Sequence, residues 1–190
     1  MQATEIAMAL LLGVGLSASC GLRVFVPLLV AAVAGKFGWL PLSNGFEWLQ
    51  SWMAIATFGV AALVEVISYK IPYVDHLLDT IATPASVVAG TVISASFLTH
   101  IDPLTQWTLG LIIGGGAAGI TQLGTVAVRA GSTATTAGMA NPLFALVESI
   151  GSVVASVASV FLPVVMAVVA AIVIVVVLIF MRRFTKKNMV

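Results

Sequence analysis

The chain has 190 residues, of which 61% are hydrophobic and 8% charged, with a formal net charge of +1. A soluble domain carries about 25% charged residues, so this composition excludes a water-soluble fold and places the chain in a bilayer as one compact membrane domain. The charge balance argues against nucleic acid as a partner, and the single cysteine, Cys20, excludes an intrachain disulfide.

In hydrocarbon an ionisable side chain is costly, so each one in or beside a crossing is a functional candidate. A crossing needs ~20 mostly apolar residues. The first apolar run starts near Ile6. Ser17-Ala18-Ser19-Cys20 resembles a lipoprotein cleavage site, but residues 1–5 contain Glu5 and no Lys or Arg. A retained first helix is therefore expected, not a signal peptide. It runs past Arg23 toward Ala34, too long for one straight crossing. Gly21 and Pro27 flank Arg23 and predict a kink or break there. Residues 35–44 read as an interfacial loop, with Trp39, Trp48 and Trp52 suited to the headgroup belt.

The second crossing is expected over Trp52 to Tyr69, ending before Pro72. Residues 72–83 are too polar to span and read as a short amphipathic or re-entrant helix. Pro84 to Leu98 forms the third crossing, and His100-Ile101-Asp102-Pro103 a turn. Leu104 to Val128 forms the fourth, closed by Arg129. Residues 130–140 are rich in Gly, Ser and Thr and read as irregular backbone. Asn141-Pro142 opens the fifth crossing, to Val160, and Leu162 to Met181 forms the sixth after the break at Pro163.

The fold class expected is thus an all-α polytopic bundle of about six crossings with broken or re-entrant helices. The basic tail, Arg182, Arg183, Lys186 and Lys187, places the C-terminus in the cytoplasm, and an even count places the N-terminus there too. Arg23 then falls near the outer side, and Glu65, Glu148 and Arg129 fall in the cytoplasmic third. Residues 62–67 (ALVEVI) are echoed by 145–150 (ALVESI), each preceded by an arginine. This suggests a 3+3 inverted repeat with halves 1–101 and 102–190, although inversion requires Glu65 and Glu148 at opposite depths.

Glu65 and Glu148 are buried carboxylates that are protonated, paired or open to a cavity. As a transport site they would work with Arg23, Lys70, Arg129 and Asn141; as a structural feature they would pair with the arginines and lock the bundle. Asp75 and Asp79 lie four apart on one helical face, and His76 can join Asp79 at three apart. Such a set can hold a divalent cation, and it equally suits a solvated first turn. No phosphate-binding loop, zinc-protease pair or nucleophile elbow is present in the sequence.

Gly21-Leu22-Arg23 with Pro27, Glu65, Lys70-Ile71-Pro72, Asp75-His76 with Asp79, and Asn141-Pro142 with Glu148 resemble an uncharacterised bacterial family of small multi-pass membrane proteins, catalogued as a domain of unknown function. Tyr69 and Ser149 stand where the resemblance leads one to expect acidic residues. It implies a protein of the bacterial inner membrane and little about substrate. The first reading is a small transporter or channel for an ion or small polar solute, forming a homo-oligomer. The alternatives are a metal-dependent enzyme acting on lipid or polyprenyl phosphates, and a structural membrane subunit.

Overall fold

A computed structural model describes the backbone of residues 3–69 and 74–187 and the side chains of residues 4–69 and 78–182. The helices are α1 (Ala3–Cys20), α2 (Phe25–Lys36), α3 (Trp52–Ser68), α4 (Val74–Phe97), α5 (Pro103–Leu109), α6 (Gly116–Thr136), α7 (Asn141–Phe161) and α8 (Pro163–Lys187). A π-helical stretch, Gly110–Gly115, joins α5 to α6 without a break, and a 3-10 turn, Glu47–Gln50, precedes α3. No strand occurs among the described residues. Four segments are long and apolar enough to cross a membrane: Leu78–Phe97, Pro103–Thr136, Asn141–Phe161 and Pro163–Arg182. The α8 segment is the most apolar of the four and the least buried, so its surface faces lipid.

The first two helices are not one kinked rod. A Cβ at Gly15 of α1 would lie 2.7 Å from Ser159 Oγ of α7, and Ser152 Oγ of α7 donates to the Ser19 carbonyl at 3.2 Å, so α1 runs antiparallel to α7. At the far side of the break, Arg23 bonds to the Ala145 carbonyl, while Val33 and Ala34 line a crevice with Val160 and Phe161. Hence α2 runs parallel to α7, and the chain reverses over residues 21–24. The expected kink or break is a reversal, and among the described residues the helices form seven legs of alternating direction, four of them containing a segment long and apolar enough to cross a membrane.

That reversal moves the chain ends apart. Glu5 and Met8 of α1 share a 430 Å3 cavity with Leu40, His100 and Pro163, the first residue of α8. From Pro163, α8 runs about 29 Å to Arg182 at ~1.5 Å per residue. Glu5 and Arg182 therefore mark opposite ends of the bundle. The Glu5 end carries the exposed Trp39, Trp48 and Trp52, with the Lys36 ammonium 5.3 Å from the Trp52 ring.

Two further expectations change. Residues 74–83 do not form a separate short helix: α4 is continuous through Pro84. Next to the proline, the Thr83 hydroxyl donates to the Asp79 carbonyl and the Ser86 hydroxyl to the Thr83 carbonyl. Residues 130–136 are helical too, so α6 passes Arg129 and ends at Thr136. Two of its hydroxyls fold back on the helix, Thr135 to the Gly131 carbonyl and Thr136 to the Ser132 carbonyl, as Ser and Thr can do without leaving it.

Small residues set the spacing. Gly90 of α4 faces Gly114 so closely that a Cβ on Gly114 would collide with the Gly90 carbonyl oxygen. Close backbone approach of this kind is how helices associate where lipid supplies no hydrophobic drive. At the far turn, Asp102 caps α5 by accepting from the Thr105 N–H at 3.0 Å, and the hydrogen bonds from Thr105 hold its carboxyl below the usual carboxylate range.

Candidate functional site

The reversal at residues 21–24 delivers Arg23 into the bundle. A Cβ on Gly21 would strike the Ala118 carbonyl of α6, so glycine lets the end of α1 seat directly on α6. The Arg23 guanidinium, 1% exposed, donates from Nε to Ser149 Oγ at 3.0 Å and from Nη2 to the Ala145 carbonyl at 2.7 Å. Its Nη1 donates to the Leu22 carbonyl at 2.9 Å and to Glu148 Oε2 at 3.1 Å. Arg129, also 1% exposed, grips the same carboxylate with Nε to Oε1 at 3.2 Å and Nη2 to Oε2 at 2.6 Å, and its Nη1 pairs with Asp79. The two-pronged hold on Glu148 is the strong, directional form of this contact.

Tyr69, at the end of α3, closes the group. Its hydroxyl donates to Asp79 Oδ1 at 3.0 Å, and the guanidinium carbons of Arg23 and Arg129 lie over its ring at 4.2 and 4.4 Å. Glu65, one turn earlier, does something different. Its Oε1 accepts the Val24 N–H at 2.8 Å and its Oε2 accepts the Phe25 N–H at 3.1 Å. The first amide groups of a helix have no partner within it, so a carboxylate on α3 caps α2.

One cluster thus joins the α1–α2 reversal, α3, α4, α6 and α7. Arg129 and Glu148 each lie seven residues, or about 10 Å, from the Arg182 end of their helices. Arg23 is therefore not at the opposite side from Glu148, as the sequence suggested, but bonded to it. Glu65 and Glu148 share one depth, against the requirement of an inverted repeat. Among the described residues the cluster holds three carboxylates, Glu65, Asp79 and Glu148, against two guanidiniums, Arg23 and Arg129.

Asn141 stands apart: its Nδ2 donates to Thr133 Oγ1 at 2.9 Å and ties the turn between α6 and α7. Lys70 and the side chains of Asp75 and His76 lie outside the described residues, and Asp79 faces Arg129 and Tyr69. Among the described residues no group of three or more His, Cys, Asp or Glu is placed to hold a metal ion. Tyr69 and Ser149 were not anticipated as members of the site. The signal was there: both stand where the resemblance expects an acid, next to a charged residue of the motif.

A cavity of about 680 Å3 opens between α3 and α4 beside the cluster, with Glu65, Ser68 and Tyr69 in its wall. On α6, Gln122, Thr125, Arg129 and Ser132 share the buried face, where Gln122 Nε2 and Ser132 Oγ have no hydrogen-bond partner among the described residues. A family model described as a domain of unknown function, DUF4126, matches residues 10–183, and the chain belongs to that family. No curated protein and no solved structure matches it.

Proposed function

We propose that this chain, a member of a family whose function is not assigned, is a small inner-membrane transporter or channel for an ion or small polar solute, working through the carboxylate–arginine cluster. The observation that carries this reading is the charge balance of the cluster: among the described residues, three carboxylates face two guanidiniums inside an apolar bundle. A surplus charge in a low dielectric is costly, and it is relieved by taking up a proton or a cation. Glu65 is the exchanging group in this reading. Glu148 and Asp79 are each held by a guanidinium, whereas Glu65 is held by two backbone amides and borders a cavity. The unpartnered Gln122 and Ser132 atoms on the Arg129 face support a polar route to the cluster.

The Lys/Arg-rich tail favours the Arg182 end as cytoplasmic, which puts the cluster in the cytoplasmic half and the N-terminus outside. A homo-oligomer in the bacterial inner membrane and the Lys-Ile-Pro-x-x-Asp-His-x-x-Asp string as a family mark remain part of this proposal. The test is reconstitution in liposomes, with currents and internal pH recorded under ion and pH gradients. Flux that disappears in Glu65→Gln is expected; full flux in that variant would refute the role of Glu65.

A second reading, a structural subunit, is favoured by the dense pairing of Arg23, which has four hydrogen bonds to protein groups. Absence of flux for every ion and pH gradient, with a folded protein, would favour it.

A further inference from the structure

We propose that the cavity between α3 and α4 binds a lipophilic monocation, an amine or quaternary ammonium with an apolar body, and that Glu65 is its counter-charge. This names a substrate class for the site above and rests on Glu65 being the exchanging carboxylate there.

The cavity has the right size, since sites for drug-sized ligands span about 300–1,000 Å3 and this one measures about 680 Å3. Its lining is asymmetric. Along α3 it extends from Ala56 to Tyr69, about 20 Å at ~1.5 Å per residue. Glu65, Ser68 and Tyr69 gather at one end of that length. The remainder is apolar apart from Thr57, with Val60, Ala61 and Val64 from α3 facing Leu78, Ile81 and Ala82 from α4. An inorganic ion gains nothing from such a wall, whereas a molecule with one polar end and an apolar body gains along its whole length.

Access is from the side. Val60, Val64 and Ile81 on the rim are 57–63% exposed, so the opening faces the hydrocarbon phase, where lipophilic cations collect. Charge selects the occupant. The guanidiniums of Arg23 and Arg129 are engaged by Glu148 and Asp79 and lie over the Tyr69 ring. Among the described residues, the charged group that the cluster offers the cavity is the Glu65 carboxylate. That charge attracts a cation and repels the phosphodiester of a phospholipid, although both would bring an apolar body. Among the described residues, each Glu65 carboxylate oxygen accepts one backbone N–H, and each has two lone pairs.

The test uses the purified full-length chain in detergent and tetraphenylphosphonium as probe, with tetraphenylborate as the same shape of opposite charge. Saturable binding of the cation, at least tenfold weaker in Glu65→Gln and in Ala61→Trp, with no saturable binding of the anion, is expected. Ala61→Trp fills the cavity and leaves the cluster untouched. Equal binding of both probes, or cation binding unchanged in Glu65→Gln, would overturn the proposal and leave a lipid-filled crevice. Folding of each variant is checked by the accessibility of the buried Cys20 thiol. Ion flux separates the two proposals. Glu65-dependent flux without probe binding sinks this inference and keeps the transport reading; Glu65-dependent probe binding without flux does the reverse.

Discussion

Glu65 accepts the backbone N–H of Val24 at 2.8 Å across 41 positions of sequence. A side chain on one helix thus terminates another, and the α1–α2 reversal depends on α3 to satisfy its amides. Glu65→Ala removes that acceptor and should lower stability by about 1–2 kcal/mol, whereas Glu65→Gln retains a carbonyl oxygen and should lose less. Cys20 is fully buried and the sole thiol of the chain, so a thiol-reactive dye followed during heating reports the transition. Equal midpoints for wild type and Glu65→Ala would show that the cap contributes nothing.

Glu148 holds two cations. Glu148→Ala strands both guanidiniums in the bundle, and losing one partner of a buried pair costs about 3–5 kcal/mol. The destabilisation should be larger than that of Glu65→Ala in the same dye assay, and the reverse order would break the ranking.

The swap of Arg129→Glu with Glu148→Arg should not rescue stability. Arg129 also binds Asp79 and Glu148 also binds Arg23, so the exchanged charges would meet like charges at both outer contacts. Recovery of the wild-type midpoint would mean that the Arg129–Glu148 contact is an isolated pair.

Gly114→Ala should cost about 1–3 kcal/mol, because its new methyl group meets the Gly90 carbonyl and no flexible side chain can yield. Gly116, two positions on, has open space where a Cβ would go. Gly116→Ala should be neutral or stabilising by up to about 1 kcal/mol. Similar midpoints for the two variants would contradict the close α4–α6 packing.

The seven alternating legs among the described residues, read as crossings, predict chain ends on opposite faces of the membrane. Reporter fusions at the two termini should show opposite accessibility in intact cells. The same side for both would restore an even number of crossings.

The sequence announced the helical class and the membrane-helix character, because apolar runs are local signals. The ends of α3, α7 and α8 fell within a residue or two of their expected places at Ser51–Trp52, Pro142 and Pro163. The exit angle after Gly21 was not legible: a kink and a reversal carry the same Gly and Pro, and the choice is made by Arg23 finding α7. Pro84 misled in the other direction, since a proline that opens a helix and one inside a continuous helix look alike in the sequence. The Ser/Thr run after Arg129 likewise looked like a loop. In the cluster, Glu65 and Glu148 were visible as buried acids, but their different tasks were not. One meets amides and the other guanidiniums, and that division depends on which helix each faces.

The contact between Arg23 and Glu148 also spans 125 positions, and this fixes an order of events during synthesis. The arginine leaves the ribosome with the first hairpin, while its carboxylate is still untranslated. Until α7 arrives, a guanidinium at membrane depth has no acid from α7 to meet, an arrangement that bilayers tolerate poorly. The pair that seats the first hairpin against α7 therefore forms only after residue 148 has been made, late in synthesis.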